Sequence, residues 1–186
     1  MKKFFIMMLM CVISVSVFAQ GDYFSNKRTF VFINGHGGTL LDKPKIDGIK
    51  STGTILGGSI TIGYQFSDLV NVGVGIAPAY TEAWTKAEDL SSKHFGDHSS
   101  ELPVFIQVRF DKVYNKTSPF GELRVGGIVG ECSTGNIINE NGPSAIYLNA
   151  GFGYRVKRLN MGISWTEEFN KDGHIGYICG TVGLVI

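Results

Sequence analysis

The stretch TILGGSITIGYQF, residues 54–66, alternates large apolar side chains with glycine and small polar side chains. One set of alternate positions holds Leu56, Ile60, Ile62, Tyr64 and Phe66, and the other holds glycine, serine, threonine and glutamine. Because successive side chains of a strand point to opposite faces, this period of two predicts a β-strand and not a helix.

The same alternation recurs along the chain. After Ser67-Asp68, a connection short enough for a tight hairpin, the pattern resumes in VNVGVGIA, residues 70–77. Further segments of this kind lie at residues 101–110, 122–129, 146–156, 159–166 and 177–186. A first segment, residues 28–35, is apolar on both faces, so its orientation stays open. The sequence therefore predicts eight strands.

The connections between these strands are alternately short and long. The longer ones cover residues 35–50, 85–99, 132–144 and 167–173. Short turns at one end and long loops at the other are typical of an up-and-down sheet. We therefore expect an all-β fold, an eight-stranded antiparallel up-and-down transmembrane β-barrel.

The N-terminus has the layout of a secretory signal peptide. Met1-Lys2-Lys3 is basic, residues 4–18 are almost all apolar, and Val17-Phe18-Ala19 resembles a cleavage site. A transmembrane anchor is the alternative, but about 15 apolar residues are short for one. We expect residues 1–19 to be removed and residues 20–186 to form the barrel domain.

Charge and composition exclude several classes of protein. The chain is 44% hydrophobic and 18% charged, with 25 glycines that lack the period of collagen, so it is neither disordered nor collagen-like. Without residues 1–19, 15 Lys and Arg stand against 16 Asp and Glu, which gives no electrostatic footprint for nucleic acid. Cys132 and Cys179 remain and could pair. No metal-ligand spacing is present, so no metal or cofactor is predicted.

The less apolar face of the strands is rich in glycine and small polar residues, which suits the narrow interior of an eight-stranded barrel. Charges of both signs fall on the same face, where they could pair and avoid the cost of an isolated buried ion. We predict that a polar network in the lumen contains Glu101, Arg109, Glu122, Arg124 and Arg155.

Aromatic residues on the apolar face fall into two groups. Tyr64, Phe66, Phe110 and Tyr154 lie near the short turns, and Tyr80, Trp84 and Trp165 lie near the long loops. Two aromatic bands around an aliphatic middle are typical of the two interfaces of a membrane. This pattern favours an apolar face that points outward to lipid.

With this strand pattern, and with Val17-Phe18-Ala19 followed by Gln20, residues 28–186 resemble the small eight-stranded outer-membrane barrels of the OmpA and OmpX type, especially the short outer membrane protein beta-barrel families of Bacteroidetes. The resemblance implies a location in the bacterial outer membrane, a monomeric state, and contacts with outer-membrane lipid, lipopolysaccharide and the barrel assembly machinery. Such barrels usually end in an aromatic residue, whereas this chain ends in Ile186.

We therefore expect a non-catalytic outer-membrane protein with a structural role or a surface-binding role for its long loops. One alternative is a soluble periplasmic or secreted calycin-like barrel that holds an apolar ligand inside. Another is an outer-membrane enzyme that modifies lipids, with a histidine as the base. The four histidines, His36, His94, His98 and His174, are all placed in or beside the predicted long loops.

Overall fold

The computed structural model describes residues 29–41, 45–46, 49–85, 95–112, 116–133, 146–170 and 173–186. Within these ranges the chain forms ten β-strands. They are β1 (Thr29–Leu40), β2 (Lys45–Ile46), β3 (Ile49–Gln65), β4 (Val70–Ile76), β5 (Ala79–Thr85), β6 (Phe95–Asp111), β7 (Thr117–Ser133), β8 (Ile146–Val156), β9 (Leu159–Asn170) and β10 (Gly173–Val185). The same ranges contain no helix that is long and apolar enough to cross a membrane.

The sheet closes on itself, because β1 pairs with β10 on one side and with β3 on the other. Strands β4 and β5 both lie between β3 and β6, so together they form one barrel strand that is interrupted at Ala77-Pro78. The hydrogen bonds continue past the interruption, from Ala77 N to the Pro103 carbonyl at 2.9 Å and from Gly58 N to the Pro78 carbonyl at 3.0 Å. Strand β2 pairs only with Ile49 and Lys50 of β3, in a separate two-strand ladder among the described residues. The remaining described strands thus form a closed antiparallel barrel of eight strands, and the predicted architecture is confirmed.

The strands are strongly tilted. Paired residues followed once around the barrel lead from Phe30 on β1 back to β1 at Leu40, ten positions further along the chain. The partners on the way are Gly63, Gly73, Gln107, Arg124, Asn149, Thr166 and Tyr177. Such an offset corresponds to a strand tilt of about 40°, and eight strands enclose a space just wide enough for side chains.

The β3–β4, β6–β7 and β8–β9 connections lie at one end of the barrel, which we call the short-turn end; the opposite end is the long-loop end. At the long-loop end the β9–β10 connection covers only residues 171–172, so the long connection predicted at residues 167–173 is wrong. The β3–β4 turn contains four residues and not the two expected, and the Ser67 hydroxyl accepts hydrogen bonds from Leu69 N at 3.4 Å and Val70 N at 3.1 Å. In the β8–β9 turn, Lys157 has a φ of 54°. This left-handed conformation is that of the tight hairpin turns whose twist suits antiparallel strands.

Several strands run further toward the long-loop end than the sequence predicts. Strand β1 continues to Leu40 and β6 begins at Phe95, so the predicted loops at residues 35–50 and 85–99 are too long, and His36 and His98 lie within strands next to the shorter connections. The glycines after His36 resemble a loop in sequence, yet they serve close strand packing. A Cβ on Gly38 would collide with the backbone of β10 and with the Cys179 sulfur.

Most of the large aliphatic side chains in the barrel strands point away from the barrel axis. Ile62 and Val74 are 62% and 61% exposed, whereas Thr61 and Asn71 on the opposite face are completely buried. Strand β1, whose orientation the sequence leaves open, turns Phe30, Phe32 and Asn34 inward and Ile33 outward. The interior therefore contains the polar residues and many of the aromatic ones, and aliphatic side chains predominate on the outer surface.

Candidate functional site

Arg109 lies at the centre of the polar interior. Its register partner on β7 is Glu122, and Arg109 Nη1 donates to Glu122 Oε2 at 3.3 Å. Its other terminal nitrogen, Nη2, donates to Asp111 Oδ2 at 3.1 Å and to the Asn160 side-chain oxygen at 2.7 Å. The Arg109 guanidinium is thus held by strands β6, β7 and β9.

Asp111 links Arg109 to a second buried arginine, Arg155. Arg155 Nε donates to Asp111 Oδ2 at 3.0 Å, and Arg155 Nη2 donates to Asp111 Oδ1 at 3.3 Å. Asp111 is not among the residues that the sequence pattern predicts for the network. The residue continues the inward positions of Gln107 and Arg109, but its place beside a turn makes it resemble a loop residue.

Arg124 extends the arrangement toward the long-loop end. Its Nη2 donates to Glu122 Oε1 at 2.9 Å, and its Nη1 donates to the Ser59 hydroxyl at 3.2 Å. The result is a chain of alternating charges, which we call the lumen network. It runs through Arg155, Asp111, Arg109, Glu122 and Arg124, all of them buried.

Aromatic rings lie against two arginines of the lumen network. The Arg109 guanidinium lies 4.3 Å from the ring centroid of Phe32 and 3.8 Å from that of Phe120, while Arg124 lies 4.9 Å from the centroid of Phe105. The negative face of an aromatic ring attracts a cation, most strongly where water is excluded. The rings therefore stabilise the buried charge of Arg109 in addition to its two carboxylate partners.

Inward glycines provide the space for these rings. A Cβ on Gly153 would lie 2.7 Å from Cζ of Phe120, and one on Gly75 would lie 2.7 Å from Cζ of Phe105. A ring packed over a glycine of a neighbouring strand fills the lumen without pushing the strands apart. The high glycine content thus serves both the small size of the lumen and the large side chains inside it.

Glu101 lies apart from the lumen network, although the sequence analysis groups them. It is buried near the long-loop end, where it pairs in register with Ala79 and Glu131. In the same half of the lumen, the Tyr177 hydroxyl donates to Glu168 Oε2 at 3.4 Å. The structure brings four of the five predicted residues together and places the fifth at the opposite end.

In the described part of the long-loop half, apolar clusters lie in the interior together with the buried Glu101 and Glu168. One apolar cluster there contains Leu40, Ile55, Ile175, Tyr177 and Cys179. A second contains Ala77, Phe105, Ile128 and Tyr147. Side chains therefore fill the lumen along its described length. They are mainly polar near the short-turn end, and more of them are apolar toward the long-loop end.

The predicted outer aromatic residues lie on the outer surface wherever their side chains are described. Near the short turns these are Tyr64, Phe66, Phe110 and Tyr154, and near the long loops they are Tyr80 and Trp165. The side chain of Trp84 lies outside the described part of the structure. Phe152, at 67% exposure, lies between the two groups and interrupts the aliphatic middle that the sequence suggests.

Other candidate chemistry is limited in the described part of the chain. Those residues contain no group of three or more His, Cys, Asp or Glu side chains arranged to hold a metal ion. His36 faces the lumen beside Gly57, and Cys179 is a buried free thiol. The predicted signal peptide at residues 1–19, all of His94 and the side chains of His98, His174 and Cys132 lie outside the described part.

The sequence matches no protein-family model and no curated protein. Solved structures with a similar fold include the outer membrane protein OprG of Pseudomonas aeruginosa, with 14% identity, a TM-score of 0.45, and coverage of 87% of this chain and 98% of OprG. The N-terminal β-barrel domain of OprF from the same organism has 15% identity, a TM-score of 0.42, and coverage of 87% and 100%. Ail, the attachment invasion locus protein of Yersinia pestis, has 12% identity, a TM-score of 0.41, and the same coverage of 87% and 100%.

Proposed function

We propose that this chain is a non-catalytic outer-membrane β-barrel protein, exported by a cleaved signal peptide at residues 1–19. The observation that carries the proposal is the orientation of the strands. Aliphatic side chains form the outer surface, and the ion-paired lumen network lies inside. Such a surface is favourable in hydrocarbon, and a closed ring of strands leaves no sheet edge to face lipid.

The same orientation disfavours a soluble calycin-like barrel. In that class the aliphatic face would line the interior and the charged residues would cover the outside. Here Ile62 is 62% exposed and Arg109 is 1% exposed. A water-soluble chain would gain nothing from burying three arginines while it exposed its isoleucines and valines.

The proposed role is structural, or is surface binding by the long loops. The barrel is a rigid frame, and the connections of the long-loop end all leave from the same rim. Loops on a rigid frame can vary in sequence without loss of the fold, which makes them suitable as binding surfaces. We propose a monomer that contacts outer-membrane lipid and lipopolysaccharide and that is inserted by the barrel assembly machinery.

Membrane fractionation tests the location. The protein should be found with the outer membrane, should need detergent for extraction, and should run at different positions on a gel when heated and unheated. Purification without detergent, with no effect of heating, would contradict the proposal.

The absence of a catalytic role needs a separate test. Purified protein should show no hydrolysis or acyl transfer on lipid A or phospholipid. An activity that is abolished by alanine at His94, His98 or His174 would replace the proposed role with that of a lipid-modifying enzyme.

A further inference from the structure

Two neighbouring turns at the short-turn end present a group of lysines to solvent. Lys112 and Lys116 lie in the β6–β7 connection and Lys157 lies in the β8–β9 turn, and all three are exposed. The two turns are adjacent because β7 pairs with β8, and Lys157 N donates to the Lys116 carbonyl. We call these three lysines the basic rim.

The buried Arg155 fixes the backbone that carries the basic rim. Its Nη2 donates to the Lys112 carbonyl at 2.6 Å and its Nη1 donates to the Lys157 carbonyl at 2.7 Å. One guanidinium thus ties both turns to Asp111 inside the barrel. The backbones of Lys112 and Lys157 are therefore tied to the same guanidinium, and that of Lys116 is bonded to Lys157, which places three positive charges on adjacent turns.

Acidic residues do little to offset the basic rim. The carboxylate of Asp111, the nearest acid in sequence, is buried and accepts hydrogen bonds from Arg109 and Arg155. One exposed acid, Asp68, lies on the neighbouring β3–β4 turn, where the Leu69 carbonyl accepts from Asp111 N at 2.9 Å beside Lys112, so it offsets one of the three positive charges in part. Positive charge is therefore concentrated on one side of the short-turn end.

The outward aromatic side chains show what lies around the basic rim. Phe110 and Tyr154 are 44% and 48% exposed on the outer surface, two residues before Lys112 and three before Lys157. Aromatic residues mark the headgroup level of a bilayer, so lysines just beyond them reach the lipid phosphates. We propose that the basic rim binds anionic phospholipids, in preference to zwitterionic ones, in the leaflet that surrounds the short-turn end. This inference rests on the proposed membrane location.

Spin-labelled lipids provide the test. The protein is refolded in phosphatidylcholine vesicles that contain a trace of spin-labelled phosphatidylglycerol or phosphatidylcholine, and electron paramagnetic resonance measures the fraction of each label held at the protein surface. The wild type should prefer phosphatidylglycerol at least about fivefold at low salt, the factor expected from one lysine near an anionic surface. Salt should reduce the preference, because it screens exposed charges.

Two matched variants assign the preference to the basic rim. The triple variant Lys112→Gln, Lys116→Gln, Lys157→Gln should lose it, and the variant with arginine at the same three positions should keep it. A heat-dependent gel shift verifies that both variants fold. Equal affinity of the wild type for the two lipids, or an unchanged preference in the glutamine variant, would overturn the inference. So would a larger loss with inorganic phosphate than with sodium chloride of equal ionic strength, which would assign the rim to a free anion.

The same measurement separates this inference from the proposed function. A wild-type protein that immobilises both labels equally still lies in the bilayer, so only the lipid preference fails. A protein that immobilises neither label is not in the bilayer, and then the membrane location fails together with the inference.

Discussion

Both carboxylate oxygens of Asp111 face the guanidinium of Arg155, with Nε to Oδ2 at 3.0 Å and Nη2 to Oδ1 at 3.3 Å. Because Arg109 also donates to Oδ2 at 3.1 Å, two buried guanidinium groups share this one carboxylate. The stability of the short-turn half of the lumen therefore depends strongly on this carboxylate.

Asp111→Ala should lower the free energy of unfolding by about 3–5 kcal/mol, because it leaves two arginines buried without their shared partner. Asp111→Asn should cost less, since an amide oxygen can still accept a hydrogen bond. Urea unfolding in lipid vesicles measures both. The exposed Asp68→Ala serves as the control and should change stability by less than about 0.5 kcal/mol. A similar effect at the two positions would show that the lumen network is not a stabilising element.

Phe120→Leu should cost about 1–2 kcal/mol, because it removes the ring that lies 3.8 Å from Arg109 while it keeps an apolar side chain of similar bulk. Phe152→Leu makes the same change on the outer surface and should cost much less. Urea unfolding in lipid vesicles measures how much each variant lowers the free energy of unfolding, and the two losses are compared. A larger loss at Phe152 would contradict the inward orientation of Phe120.

Gly153→Ala should destabilise the barrel by about 1–3 kcal/mol, because the new methyl group would press on Phe120 and on the backbone of β9. Gly121→Ala is the matched control. A Cβ there meets only the Gly151 carbonyl oxygen at 4.0 Å, so the substitution should be neutral or slightly stabilising. Thermal unfolding of both variants distinguishes the positions, and equal midpoints would show that the ring does not fill the space above Gly153.

Ile62→Arg and Leu69→Arg test whether the outer surface lies in hydrocarbon. Both residues are exposed, at 62% and 46%, but Ile62 lies within a barrel strand and Leu69 in a turn. Arginine should cost about 2–4 kcal/mol near mid-depth and about 0–1 kcal/mol near an interface, as measured by refolding into bilayers. Equal costs would contradict a membrane-spanning orientation.

Thr61→Lys tests the lumen. The strand pattern alone suggests a mild effect, but the substitution should destabilise the barrel clearly in the same refolding assay, because Thr61 is completely buried and donates to the Gln107 side chain at 3.1 Å.

The sequence predicts the strands well because alternation is a local property of each segment. The outward set around Ile62 and the inward set around Arg109 both follow from position parity alone. Partners across the lumen do not, since which residues meet depends on the ten-residue offset around the barrel. The registers between neighbouring strands, which produce that offset, bring Asp111 near Arg155 and pair Glu122 with Arg109, eight residues from Glu101 along β6, although Glu101 and Glu122 both follow the inward parity of their strands.

The orientation of β1 shows a second limit of the sequence. A segment that is apolar on both faces has no contrast between its faces, so parity cannot tell which side is inside. The neighbouring strands provide the answer through glycines. A Cβ on Gly63 would overlap the Phe30 ring, so the space for an inward Phe30 exists only where a side chain is missing on β3. Such complementarity between strands is visible only once the register is known.

Closure of the sheet through β1 has a consequence for assembly. In the described part of the barrel, β1 pairs with β3 on one side and with β10 on the other. The pairing of β1 with β10 closes the ring, and there Val31 and Ile186 exchange hydrogen bonds at 3.0 and 2.9 Å. A partly joined cylinder would leave two rows of unbonded peptide groups facing hydrocarbon, where water cannot satisfy them. Intermediates short of the last seam therefore gain little from being inside the membrane, and insertion should be cooperative, with the ring completed as it enters.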